Sequence, residues 1–432
     1  MNHSIVRATA QTPLATPAQK APPSRRVIIA SSLGNGLEMF DFTIYGFFAV
    51  TIGKLFFPAA SAQASLLLSL MTFASGFLAR PLGGILIGRF ADSHGRKAAL
   101  SLTILLMTLG TALIAFTPAY SQIGIWATVS LIIGRLLQGI SAGGEVGTAT
   151  TFLMESGSTR NRCFMISWQG ASQGIAALAG ALCGLLLTST LNTQQLESWG
   201  WRLPFILGLM IGPVGWYIRR NLDETHEAHA SGPSLASVLR AQARNICLGM
   251  MLMAGSTVTM YLIVYYMPIY LTRTLGYTSQ FSFTLVGMTC LIMAIVPPLA
   301  GRLADRLQRR KPLLYTAFSL TLLAAYPAFW MFGLHSTLAC ALAVIIVVLP
   351  LTVGSAALFA LLMEGFARSE RATCLSCVYS VSVTCFGGFS PLIVTWLIDT
   401  TSNALTPALY LMAAMTISLV ALRLYPEHPG RH

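Results

Sequence analysis

The stretch LMESGSTRNRCFMIS, residues 153–167, returns as LMEGFARSERATCLS, residues 362–376. Each copy has a Leu-Met-Glu segment closing an apolar run, a basic turn, and a cysteine opening the next apolar run. The copies are offset by 209 residues, Leu153 against Leu362. A second pair, GRFADSHGRK at 88–97 and GRLADRLQRRK at 301–311, repeats at nearly the same interval. In a chain of 432 residues these offsets describe two similar halves. Duplicated halves with a site between them are the logic of many secondary transporters.

The runs between these landmarks are long enough to cross a bilayer. Hydrophobic residues make up 55% of the chain and charged residues 9%, against roughly 25% charged in a soluble domain. Runs and breaks place spans at about 27–55, 64–90, 97–117, 122–152, 161–190 and 201–220, then at about 244–272, 279–304, 311–333, 336–362, 371–399 and 404–425. The expected fold is an all-α membrane protein with twelve transmembrane helices. Its parts are a tail at 1–26, six-helix bundles at 27–220 and 244–425, a central loop at 221–243 and a short tail at 426–432.

Basic residues set the expected orientation. Of 27 Lys and Arg, Arg80 and Arg135 lie inside spans, Arg202 opens the sixth, and Lys54 and Arg273 fall in odd-numbered loops. The other 22 sit on the tails and even loops, which puts both termini on the cytoplasmic side of the membrane. Residues 1–26 have neither the apolar stretch nor the cleavage site of a signal peptide and read as a disordered tail. The net charge of +13 is spread through these loops rather than gathered on one face, so it speaks for topology and not for nucleic acid.

Other chemistries find no support. Cys374 and Cys377 form a CxxC with no companion Cys or His pair, and read as packing residues. The seven histidines show no metal-ligand spacing. No GxxxxGK[ST] occurs, and the glycines near Gly34 and Gly143 lie in membrane helices rather than after a strand. No cofactor, no metal and no enzymatic activity are expected.

Charges inside the spans are the strongest functional signal. Asp41 lies about 14 residues into a helix entering from the inner side and Arg135 about 13 residues into one entering from the outer side, so both approach mid-bilayer. An unpaired ion there costs about 2.5 to 3.5 kcal/mol, so the two are expected to pair. Pairing favours the charged carboxylate and burial the neutral one, and switching between those conditions loads and releases a proton. A static salt bridge that only fixes packing is the competing role. Glu38 is one turn closer to the inner side on nearly the same face, and either accepts the relayed proton or pairs with Arg80. Arg80 is the candidate for holding a substrate carboxylate, since guanidinium offers two parallel donors; snorkelling to the surface is its alternative.

Polar side chains complete the list. Gln169 and Gln173 are four apart on the fifth span, beside Trp168 and Ser172, and either join helices or line a cavity, where an oxygen-rich anion wants N–H donors. Tyr261, Tyr265 and Tyr266 on the seventh span, with Tyr379, Ser380 and Ser382 on the eleventh, are either core or an uncharged wall facing a charged first half. Gly139, Gly143 and Gly147 make a smooth stripe for a neighbouring helix, and Glu145 beside them is a gate contact or the end of a structural network. Asp92 with Arg96 and Lys97 forms a latch candidate, echoed by Asp305. Arg202, next to Trp199 and Trp201, attracts anions at the entrance or anchors the interface.

GRFADSHGRK resembles the loop signature of the major facilitator superfamily. GNGLEMFDFTIYGF, FLARPLGG, GRLLQGISAGGE, SWQGASQG, WGWRLPF and RRNLDET together resemble its metabolite:proton symporter family over essentially the whole chain. SWQGASQG is most similar to the citrate and tricarballylate carriers. Leu307 and Gln308 depart from the common loop pattern, which has isoleucine and glycine there. The resemblance implies a carrier of the bacterial inner membrane importing a small organic anion with protons, with Asp41 and Arg135 as its coupling pair; it is expected to work as a monomer. Carriers of proline or betaine in the same family, and proton-driven exporters, are the alternatives it leaves.

Overall fold

A computed structural model describes residues 25–59, 61–94, 96–143, 153, 161–220, 235–307, 309–367 and 370–427. The spans are α1 (Arg25–Phe47, continued by Ala49–Phe56), α2 (Ala62–His94), α3 (Arg96–Phe116), α4 (Ile125–Ala142), α5 (Arg162–Thr190) and α6 (Leu203–Arg220). The second half has α7 (Ala243–Thr274), α8 (Ser279–Asp305), α9 (Lys311–Phe332), α10 (Thr337–Glu364), α11 (Arg371–Thr401) and α12 (Thr406–Leu424). Among the described residues nine helices are long and apolar enough to cross a membrane, and the two parts of α1 make a tenth. Helices α3 and α6 occupy the remaining two expected positions.

Irregularities fall where the halves meet. The two parts of α1 bend by 69° at Phe48. Helix α7 contains π turns at Tyr261–Tyr266 and Tyr270–Thr274, and α11 one at Val383–Gly388; such turns recur at functional sites. In α2, Pro81 has no N–H for the carbonyl of Phe77 one turn back. The hydroxyl of Thr384, in the π turn of α11, lies 2.8 Å from that carbonyl and 2.7 Å from the Ser380 carbonyl of its own helix, and shares its one proton between them.

Close helix approaches depend on small residues. A Cβ at Gly139 would strike the backbone carbonyl of Gly76, and one at Gly143 that of Arg80. The stripe anticipated on α4 therefore seats against α2, at the turn that carries Arg80. Across the halves, a Cβ at Gly174 of α5 would come within 2.6 Å of backbone atoms of Met293 and Ala294 in α8. The aromatic core continues through this junction, with Phe77 at 5.4 Å from Tyr261 and Phe47 at 5.4 Å from Phe283.

Candidate functional site

Helix α1 presents different residues to different neighbours. Glu38 turns toward α2, where its Oε1 accepts from Arg80 Nη2 at 2.8 Å with both side chains buried. This is the pairing anticipated for Arg80, and it keeps the guanidinium inside rather than at the surface. Asp41 turns instead into the first half. Its Oδ2 accepts from the hydroxyl of Thr111 on α3 and from Gln138 Nε2 on α4, the latter at 3.4 Å. The two acids thus have separate environments, because three residues on a helix leave about 60° between side chains.

Asp41 and Arg135 are linked differently from the direct pair expected. Arg135 Nη1 donates to Gln138 Oε1 at 2.8 Å, and Gln138 Nε2 donates to Thr111 at 2.9 Å. An amide stands between the ions, with Thr111 closing the link. Aromatic rings join this system to the first pair. The Cζ of Arg135 lies 4.4 Å from the Phe42 centroid, and that of Arg80 lies 4.8 Å from the same centroid. Arg135 also sits over Tyr45 and Arg80 over Phe77. Aromatic faces supply part of the stabilisation that water gives a cation outside.

Neither guanidinium is saturated. Arg80 Nε and Nη1, and Arg135 Nε and Nη2, are buried without an acceptor. Buried donors left unpaired cost about 1–3 kcal/mol each, so their number marks a place where an acceptor is wanted.

The amides on α5 converge on Asn35 of α1. Gln169 Nε2 donates to Asn35 Oδ1 at 2.9 Å, while Asn35 Nδ2 donates to Ser172 Oγ at 2.9 Å and to the Gln169 carbonyl at 3.2 Å. Through these bonds Gln169 links α5 to α1, while its Oε1 is buried without a donor. Gln173 reaches further: its Nε2 lies 3.4 Å from Asn35 Oδ1 and 3.4 Å from the Tyr379 hydroxyl, across the boundary of the halves. Tyr379, Tyr261 and Tyr265 are all within electrostatic reach of Arg80. Tyr265 is buried and directs its hydroxyl to Met39 Sδ at 3.5 Å. Ser382 bonds the Met250 carbonyl of α7 at 3.4 Å, so it joins helices.

Of the gate candidates, Asp305 has a clear role. Its carboxylate accepts from the backbone N–H groups of Cys163 at 2.8 Å and Phe164 at 2.9 Å, capping α5 from the other half. The helix dipole favours an anion there. Nearby, Arg310 Nη1 donates to the carbonyls of Ala304 and Leu307; Gln308 lies outside the described residues. The side chains of Asp92, Arg96 and Lys97, and the whole of Glu145 and Gly147, lie outside the described residues. At the opposite face, Gln63 of α2 bonds both Asp399 of α11 and Arg273 of α7, the latter at 3.0 Å. Arg202 caps carbonyls of Ala115, Ser198 and Thr117 at 2.8 to 3.0 Å and lies over Trp201. That is an anchoring role, with every nitrogen of its guanidinium engaged.

Two bundles of membrane helices around buried, balanced charges define a membrane carrier. The chain belongs to the Major Facilitator Superfamily, whose profile matches residues 31–391. It is 34% identical to a citrate-proton symporter of Klebsiella pneumoniae over 423 residues, covering 96% of this chain and 95% of that protein. It is 33% identical to the proline/betaine transporter of Escherichia coli strain K12, covering 92% and 82%. Among solved structures, the partially occluded inward-open xylose transporter XylE of E. coli superposes with a TM-score of 0.77 at 15% identity, covering 94% of this chain and 99% of that one. The family and these relatives are transporters rather than enzymes.

Proposed function

We propose that this protein is a proton-coupled symporter importing a small organic anion, a di- or tricarboxylate such as citrate, across the bacterial inner membrane. Both termini lie on the cytoplasmic side in this reading, and alternating access proceeds by rocking of the two halves. The observation that carries it is Arg80: buried at the junction of the halves, beside Gln173 and Tyr379, with two of its three nitrogens unclaimed. A substrate carboxylate supplies the missing acceptors, as a charge-assisted bond.

Charge balance supplies the coupling. Glu38 and Asp41 together offset Arg80 and Arg135. Adding a proton to Asp41 leaves one positive charge in excess, which favours entry of an anion. Releasing that proton to the cytoplasm restores balance and expels the anion. Glu38 neutralises Arg80 in the empty carrier, so that the site crosses the membrane without a net charge.

A second reading, uptake of a zwitterion such as proline or betaine, draws on the rings of Phe42, Phe73, Phe77 and Tyr261 and on the relatives that carry such solutes. Here Phe42 and Phe77 already face guanidiniums, so they are not open to a quaternary ammonium.

The test is uptake into proteoliposomes under an imposed pH gradient with labelled citrate, tricarballylate, 2-oxoglutarate, shikimate and betaine. Accumulation of a carboxylate when the exterior is acidic is expected. Accumulation of betaine alone favours the second reading, and accumulation of none of them rejects symport.

A further inference from the structure

Gln138 is wholly buried on α4, and its amide touches both ionic partners. Arg135 offers donors only, so the amide oxygen must face it and the NH2 must face Thr111 and Asp41. The observed bonds follow that order: Arg135 Nη1 to Gln138 Oε1, Gln138 Nε2 to Thr111 Oγ1, and Thr111 Oγ1 to Asp41 Oδ2. Donation therefore runs one way from the cation and ends on the carboxylate. Gly110 of α3 makes room for this side chain, since a Cβ there would lie 2.8 Å from Gln138 Cγ.

The other carboxylate oxygen is placed differently. Asp41 Oδ1 is buried and has no hydrogen-bond partner. It faces Gly208 of α6, where a Cβ would come within 2.6 Å. Arg135 on α4 is the charged group whose field acts on Asp41, and it in turn feels Tyr45 of α1, Arg80 of α2 and Tyr261 of α7. The oxygen open to a proton is thus not the one tied to the chain of donors.

We propose that Gln138 is the positioning residue that couples the proton on Asp41 to the guanidinium of Arg135. This rests on the symport reading given above. A direct salt bridge would use up the guanidinium and lock the pair. One amide between the ions leaves Nε and Nη2 of Arg135 unclaimed while still tying its charge to Asp41. Protonation at Oδ1 makes Oδ2 a weaker acceptor, the amide loses its anionic terminus, and Arg135 becomes the cation without a counter-charge. Only a side chain that accepts at one end and donates at the other transmits this change.

The experiment compares counterflow exchange with accumulation driven by a pH gradient, in proteoliposomes, for the wild type, Q138L and Q138E. The wild type is read first: if it accumulates none of the carboxylates or betaine, the symport reading fails before Gln138 is tested. If it accumulates one, that solute is used throughout. Leucine removes both ends of the link, and glutamate binds Arg135 directly and cuts it from Asp41. Both variants are expected to keep counterflow within about threefold of wild type and to lose about tenfold or more in accumulation, the usual span of a coupling effect. Accumulation should also lose its dependence on external pH. Unchanged accumulation with an unchanged pH profile in either variant overturns the proposal. A parallel fall of exchange and accumulation, or failure of both variants to fold, assigns Gln138 a scaffold role instead and overturns it equally.

Discussion

Glu38 and Arg80 form a buried ion pair, Oε1 to Nη2 at 2.8 Å, on adjacent helices of the first half. Removing one partner strands the other charge out of water, which typically costs about 3–5 kcal/mol. Arg80→Ala is therefore expected to lower the thermal unfolding temperature in detergent sharply. The double variant Glu38→Ala with Arg80→Ala should recover much of that stability, since no charge remains unpaired. Substrate binding measured by titration calorimetry should stay absent in both. Recovered binding in the double variant would show that Arg80 serves only to balance Glu38.

Asp41 offers a cleaner separation of structure from coupling. Asp41→Asn keeps an acceptor for Thr111 and Gln138 while fixing the group as neutral. Gradient-driven accumulation should disappear and counterflow should persist, because exchange moves no net proton. Counterflow in the variant should also lose its sensitivity to pH. Equal loss of both activities, with protein present in the membrane, would mark Asp41 as part of a structural charge network.

The sequence made the helices legible because lipid leaves few choices: apolar runs and their polar breaks set span limits to within a few residues. The ends of α5 and α8 agree closely with expectation. The bend of 69° at Phe48 was not legible, since no proline marks it. In the site, the intramembrane charges were visible as charges, but their partners were not. Thr111, Gln138 and Asn35 are not legible as site residues, because a lone hydroxyl or amide carries no signal until the packing shows what it touches. One signal was available: Gln138 lies one turn from Arg135 on the same helix, a spacing that brings side chains together. Depth alone brings Asp41 and Arg135 to one level of the bilayer, and depth does not fix which face a residue presents.

Pro81 and Thr384 make a test of how the halves hold together. The proline leaves the Phe77 carbonyl without its usual helical donor, and Thr384 of α11 offers one at 2.8 Å, in competition with the Ser380 carbonyl at 2.7 Å. Thr384→Val should cost about 1–3 kcal/mol, the price of a buried carbonyl left unpaired. In a Pro81→Ala background the new N–H at position 81 serves that carbonyl, so the same change should cost much less. Thermal stability of the four proteins gives the coupling. Additive effects would mean that the hydroxyl is not needed by the carbonyl.

Asp305 ties α8 to α5 through the backbone N–H groups of Cys163 and Phe164. Asparagine at this position retains one acceptor oxygen but presents an NH2 to the other N–H, and it removes the negative charge from the helix N-terminus. The combined loss of a cap and a dipole interaction is about 1–2 kcal/mol, or roughly a tenfold shift in the population of the closed contact. Cys163 reports it directly, because its side chain is buried at this junction. Alkylation of Cys163 by a maleimide, followed by mass spectrometry, should run about tenfold faster in Asp305→Asn, as that shift in population requires. Cys290, buried within α8 away from the cap, should keep its wild-type rate and serves as the internal control. Equal acceleration at both cysteines would indicate general loosening, and no change at Cys163 would show that the α5–α8 contact closes without this carboxylate.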